Sequence, residues 1–175
     1  MSNTKKLTLS ALFIALGIVL PFFTGQIPLL GNMLLPMHIP VLLCGFVCGA
    51  PYGLLIGFII PLLRSFLFGM PAMPLSAVPM AVELGTYGFV TGLLYTKLQK
   101  KKLGIYTALI LSMISGRITW GITSYLLYHA LGNLFTWELF IAGAFLNAIP
   151  GIIVQLVFIP ILIYALNKAH LQSNR

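Results

Sequence analysis

Six apolar runs follow one another along the chain, at about 5–23, 34–50, 52–68, 75–96, 104–129 and 137–167, with short connections between them. A helix needs about 20 apolar residues to cross a bilayer, with a range of roughly 17–25, so the runs read as six transmembrane helices. The second and third are short and are parted only by Gly49–Ala50–Pro51, which predicts a tight helical hairpin. A membrane barrel would need short segments of alternating polarity, and the sequence lacks them. Composition agrees: of 175 residues, 59% are hydrophobic and 7% charged, too little polar surface for a soluble domain of this size. The expectation is an all-α membrane protein, one domain over 1–175, with six helices in a single bundle surrounded by membrane lipid. The Met1–Lys6 leader is short and basic. The apolar run after it continues past signal-peptide length without a small-residue cleavage site, so it reads as a retained first helix.

The net charge is +8. It does not point to nucleic acid, because the basic residues sit in the connections, where they set orientation. Lys5 and Lys6 precede the first run, Lys97, Lys100, Lys101 and Lys102 lie between the fourth and fifth, and Lys168 and Arg175 follow the sixth. With six spans, all of these fall on one side. The opposite connections, 24–33, 69–74 and 130–136, contain no Lys or Arg. The positive-inside rule therefore places both termini in the cytoplasm and the protein in the cell membrane. Trp137 stands at the outer end of the sixth run, as interfacial aromatics do.

Against this background five polar residues lie at membrane depth: Arg64, Glu83, Arg117, Asn147 and Gln155. A charge there costs at least a few kcal/mol, so such residues face a bundle interior or a watery cavity. At a rise of about 1.5 Å per residue, Arg64 is about 6 Å in from the outer ends, Glu83 about 10 Å, Asn147 about 15 Å and Arg117 about 18 Å. Four groups from four helices thus gather in the outer half. They read as an outward-opening solute pocket, with Trp120, Tyr87 and Tyr125 as candidate walls. Two cations against one anion favour a ligand with a carboxylate or phosphate, which arginine grips bidentately. The competing reading is an Arg–Glu–Arg network that only ties helices together.

Catalysis is poorly provided for. Glu83 and Glu138 are the only acids, and no P-loop, HExxH or GxSxG motif occurs. Neither a cofactor nor a metal site is expected: His38, His129 and His170 fall at two membrane faces and read as interfacial polar contacts. Cys44 and Cys48 are not a CxxC pair and read as buried packing residues. The Lys97–Lys102 run reads as a topology anchor, with lipid or partner contact secondary. Gly45, Gly49, Gly53 and Gly57, like Gly88 and Gly92, recur every four residues, a spacing that lets helices approach closely. Ala11 and Ala15 do the same on the first helix, which is well placed to meet a second protein. In the sixth run Asn147 precedes Pro150, so a polar group and a local break coincide. No internal repeat is visible, which argues against an inverted-repeat transporter.

The size with six spans, the Ala11-x-x-x-Ala15 pair, and the run from Pro36 to Phe58, PMHIPVLLCGFVCGAPYGLLIGF, carry a family resemblance. The chain resembles the substrate-binding (S) component of energy-coupling factor vitamin transporters. The resemblance implies a non-enzymatic protein that binds a vitamin or similar micronutrient near the outer surface, with helices four to six and the outer loops. It implies as partners a transmembrane scaffold and two cytoplasmic ATPases, docked through the first helix, and release inward by toppling in the membrane. Carried over, loop 24–33 lids the pocket, and Glu83, Arg117 and Asn147 line it. Arg64 departs from the family's emphasis, since helix three is less often a binding element. An acid such as pantothenate, or a folate-like or phosphorylated compound, fits the charge, with riboflavin or pyridoxine as neutral alternatives. The competing classes are a self-sufficient small transporter or channel, a lipid-modifying membrane enzyme, and a scaffold protein without ligand.

Overall fold

The computed structural model describes residues 1–24, 33–98 and 103–173, and it is helical almost throughout these residues. In lipid every backbone amide and carbonyl must be satisfied within the segment, and the helix does this. Helix α1 spans Asn3–Val19 and tightens into a 3₁₀ turn over Leu20–Thr24. Its start is set by Ser2, whose hydroxyl accepts from the Lys5 amide at 3.4 Å. Next come α2 (His38–Cys48), α3 (Ala50–Phe68), α4 (Ala77–Leu98), α5 (Gly104–Ala130), α6 (Trp137–Ala144) and α7 (Ile149–Ser173). Between α6 and α7 lies a 3₁₀ turn, Leu146–Ala148. Parts of the expected lid loop 24–33 and of the Lys97–Lys102 connection, the side chain of His170, and Arg175 lie outside the described residues.

Two of the six expected helices differ from the sequence reading. The second run was expected as one helix over 34–50, yet α2 begins only at His38 and has 11 residues. Pro36 accounts for this: it has no amide to donate and restricts the residue before it. Leu35 stands at φ 51°, a left-handed conformation uncommon for a residue with a Cβ. The sixth run, expected over 137–167, is divided at Phe145–Ala148 just before Pro150, where the sequence placed a break. The described residues thus hold five helical runs long and apolar enough to cross a membrane, together with the shorter α2.

The α2–α3 hairpin turns through Gly49 alone. Its φ of 94° is reserved for glycine in practice. The hairpin then packs on α4 through small residues. A Cβ added to Gly53 would strike the Gly88 backbone, one added to Gly88 would strike Gly53, and one added to Gly57 would strike Leu84 and Gly85. Backbone here lies directly against backbone, so the four-residue glycine spacing is internal packing. On α1, Ser10, Phe13 and Gly17 are buried, and Gly17 sits against Ile60 of α3. The two cysteines are unoxidised and buried. Cys44 Sγ lies 3.7 Å from Ser10 Oγ, and the Cys48 thiol donates to the Lys6 carbonyl at 3.8 Å, so both pack α2 on α1.

The bundle has two chemically different ends. At one, Lys6 lies over the Tyr52 ring, and Asn167 of α7 donates to the Tyr95 hydroxyl of α4 at 3.1 Å. Lys97 and Lys168 stand beside these last two residues. The opposite end holds the polar residues of α2, α4 and α5.

A buried ion pair flooring an aromatic cavity

Glu83 lies six residues into α4, while Arg117 lies thirteen residues from the end of α5. They meet because α5 is the longer helix, 27 residues against 22, and runs on beyond the start of α4. Arg117 Nη1 is 2.9 Å from Glu83 Oε1. Both residues are buried, at 5% and 2% exposure. Removing one partner from such a pair costs about 3–5 kcal/mol, because the other charge is left stranded. Beside the pair is His38, at the first position of α2 and 1% exposed, with Nε2 3.6 Å from the same carboxylate oxygen. Tyr87, one turn beyond Glu83, packs edge-on against His38 at 5.3 Å. Its ring rests on Gly116, where a Cβ would collide with it. One glycine on α5 therefore makes room for the ring beneath His38. On another face of the same contact the Thr119 hydroxyl donates to Thr86 Oγ1 at 3.1 Å, which fixes the register of α4 against α5.

This polar group floors a cavity of about 250 Å³. Above it the walls mix apolar and aromatic side chains, Met80, Trp120, Tyr128, Phe135 and Leu139, with the polar Ser76 and Ser124, and with Asn147 at the α6–α7 break. Trp120 lies against Gly143 of α6, where any Cβ would strike the indole, and packs edge-on to Phe135 at 6.0 Å. Helix α6 starts where Thr136 accepts from the Leu139 amide at 3.3 Å. Its short length brings Leu139, Ala142 and Gly143 to the cavity.

The structure gathers some of the residues singled out in the sequence and separates others. Glu83, Arg117, Asn147 and Trp120 line one cavity. Tyr87 lies under the floor rather than on the wall. Arg64 is elsewhere: its Nη1 donates to the Ile18 carbonyl at 2.8 Å, and its guanidinium sits 5.2 and 5.5 Å from the Phe22 and Phe68 rings. It caps α1, whose last carbonyls have no partner within the helix. Tyr125 is 51% exposed and faces a separate apolar groove with Ile118, Ile122 and Trp137. With Arg64 absent, the cavity holds one arginine and one glutamate, so the excess positive charge expected there is not present. His38 was read as an interfacial contact and instead completes the floor. Among the described residues no group of three His, Cys, Asp or Glu side chains could hold a metal ion.

Several floor atoms have no hydrogen-bond partner among the described residues: both His38 nitrogens and Arg117 Nε and Nη2. Gln155 and Thr91, farther along α7 and α4, are likewise buried and unpartnered. A buried polar group left so costs roughly 1–3 kcal/mol, more when charged. Folds keep such groups rarely.

Apolar helices of spanning length define a multi-pass membrane protein, and its bundle holds a small cavity with a charged floor. The sequence model of one family, the substrate-specific component of ECF transporters, matches residues 5–164. The chain belongs to that family, and membership implies a substrate and an ECF scaffold and ATPase module as partners. Neither a curated protein nor a solved structure matches the chain.

Proposed function

We propose that the chain captures a small micronutrient of the vitamin class in the Glu83–Arg117 cavity. The cavity opens outward, and the bound solute passes to a transmembrane scaffold and two cytoplasmic ATPases. One observation carries this reading: a buried ion pair with unpartnered donors floors a cavity whose walls are aromatic. A network that only held helices together would have no need of the cavity above it. The volume, about 250 Å³, lies just below the common range of roughly 300–1,000 Å³ for ligand pockets. The orientation rests on the lysines, which mark the far end of the bundle as cytoplasmic. The docking face rests on Ala11 and Ala15, which stand exposed on α1 opposite Phe13 and Gly17.

The test is to purify the protein alone and identify the co-purifying solute by mass spectrometry. Wild-type protein retains a micronutrient, and Gly143→Val, which drives Trp120 into the cavity, releases it. A solute retained equally by both would place the binding site elsewhere.

A further inference from the structure

Helix α5 carries six serines and threonines, and five of them use their hydroxyls on their own helix. Thr107, Ser112, Ser115, Thr119 and Thr123 each donate to a carbonyl about one turn earlier, a common way to satisfy a hydroxyl inside a helix. Ser124 is the exception. It is 1% exposed and makes no hydrogen bond among the described residues. Arg117 Nε and Nη2 and both His38 nitrogens are also unpartnered, but they are sealed from the cavity. The Ser124 hydroxyl is not sealed, and Ser124 lines the cavity. A buried hydroxyl without a partner is destabilising, and alanine would fill the same place without that cost. We infer that Ser124 is a specificity-determining residue, its hydroxyl forming a hydrogen bond with an uncharged polar group of the solute: a hydroxyl, a carbonyl or a ring nitrogen. This inference rests on the reading of the cavity as the solute site.

Trp120, Ser124 and Tyr128 recur every four residues and share the face of α5 that lines the cavity. Ser124 stands about 10 Å along the helix from Arg117, at about 1.5 Å per residue. The group it meets therefore lies part-way along the solute, away from any end that reaches the floor. Above His38, Glu83 and Arg117 the lining carries no charged side chain, and Glu83 and Arg117 engage each other. An ionised group held at Ser124 would leave water without gaining a counter-ion, which is far more costly than burying a neutral group that is hydrogen-bonded. The serine hydroxyl both donates and accepts, so it suits a neutral group of either polarity. Ser76 and Asn147 border the same cavity and are exposed, so they offer further uncharged partners.

Ser124→Ala removes the hydroxyl alone, and Ser112→Ala, whose hydroxyl serves the Leu109 carbonyl, is the control. Each protein is purified with the solute it carries, and loss of that solute on dilution is followed by mass spectrometry. Ser124→Ala should release it about two- to tenfold faster than wild type, the range for one uncharged hydrogen bond. Ser112→Ala should release it at the wild-type rate. Equal release from wild type and Ser124→Ala overturns the inference and leaves the cavity reading standing. A co-purified solute whose only polar group is ionised, such as a fatty acid, overturns it likewise. Position is tested separately on Ser124→Cys with methyl methanethiosulfonate, a small uncharged thiol reagent. Cys44 and Cys48 are buried, and wild type gives the background. Solute-free protein should be labelled at position 124, and retained solute should protect it. No labelling overturns the inference alone. Labelling without protection, or a wild type that retains no solute, overturns the cavity reading and the inference with it.

Discussion

The Glu83 partnership of Arg117 and its proposed role at the solute can be measured apart. If Arg117 bonds to the solute, Arg117→Ala weakens binding of the co-purified solute by about 1.5–3 kcal/mol in calorimetry. Membrane insertion should persist, because removing a charge from a spanning helix eases insertion. Unchanged affinity in a folded variant would reduce Arg117 to a helix tie. Its bond to Glu83 predicts a non-additive effect on stability. Arg117→Met alone strands the carboxylate and should cost about 3–5 kcal/mol, whereas Arg117→Met with Glu83→Met should recover most of that loss. Additive losses in thermal melts would show that the two side chains are not coupled. Arg117 and Glu83 were legible in the sequence because charges inside apolar runs seek each other or a cavity. His38 was not, since a histidine four residues into a run measures as interfacial when Pro36 is not seen to delay the helix. Arg64 carried the same signal as Arg117 but answers a backbone carbonyl, Ile18. No pairwise pattern in a sequence marks such a partner. Tyr125 and Tyr87 show the same gap: the sequence gives their depth, and the rotation of α5 and α4 decides which faces lipid and which lies under the floor.

At the level of elements, the glycines of α3 and α4 make the sharpest prediction. Gly53 and Gly88 touch through their backbones, so no flexible side chain can yield to a new one. Overpacking a core usually costs about 1–3 kcal/mol. Gly88→Leu should reach or exceed the upper end, seen as a large fall in melting temperature or as loss of folded protein. Gly132→Ala, at a turn with φ 73° and open space, should cost only about 1 kcal/mol, from backbone strain alone. Similar effects for both would contradict the close α3–α4 approach. The helical runs and a tight hairpin at Gly49–Ala50–Pro51 were legible because lipid leaves the backbone few choices, although the turn itself is confined to Gly49, with Ala50 and Pro51 already in α3. The division of the last run was legible too, from Asn147 beside Pro150. The exact reach of α2 was not: hydropathy continues through Leu35–Met37, and only the combination of Pro36 with a left-handed leucine ends the helix there. Short α6 also escaped notice, because its residues are as apolar as those of α7. Its separateness matters to the site, since it lets α6 lie beside Trp120 rather than continue the line of α7.

At the scale of the whole molecule, the two ends of the bundle carry the proposed transport cycle. If the lysine end is cytoplasmic, reporters placed after Arg175 and between Lys97 and Lys102 both read cytoplasm. An external signal at either would turn the cavity inward and remove the capture step. The docking proposal is tested on α1. Ala11 and Ala15 lie on its exposed face, while Ser10, Phe13 and Gly17 hold the helix to the bundle. Leucine at both positions should therefore leave the fold and the cavity intact. It should block a partner helix that needs close approach, because small residues at this spacing set the distance between helices. Ala11→Leu with Ala15→Leu is expected to bind solute as wild type does and to lose uptake in cells that supply the scaffold and ATPases. Were the pair to face only lipid, leucine would be tolerated and uptake would continue. Were it part of internal packing, binding and uptake would fall together. A self-sufficient transporter gives a third pattern, since wild-type protein alone in liposomes would then move solute without any ATPase. Only retained binding with lost uptake, and no movement by the protein alone, fits a solute-binding component that depends on its partners for transport.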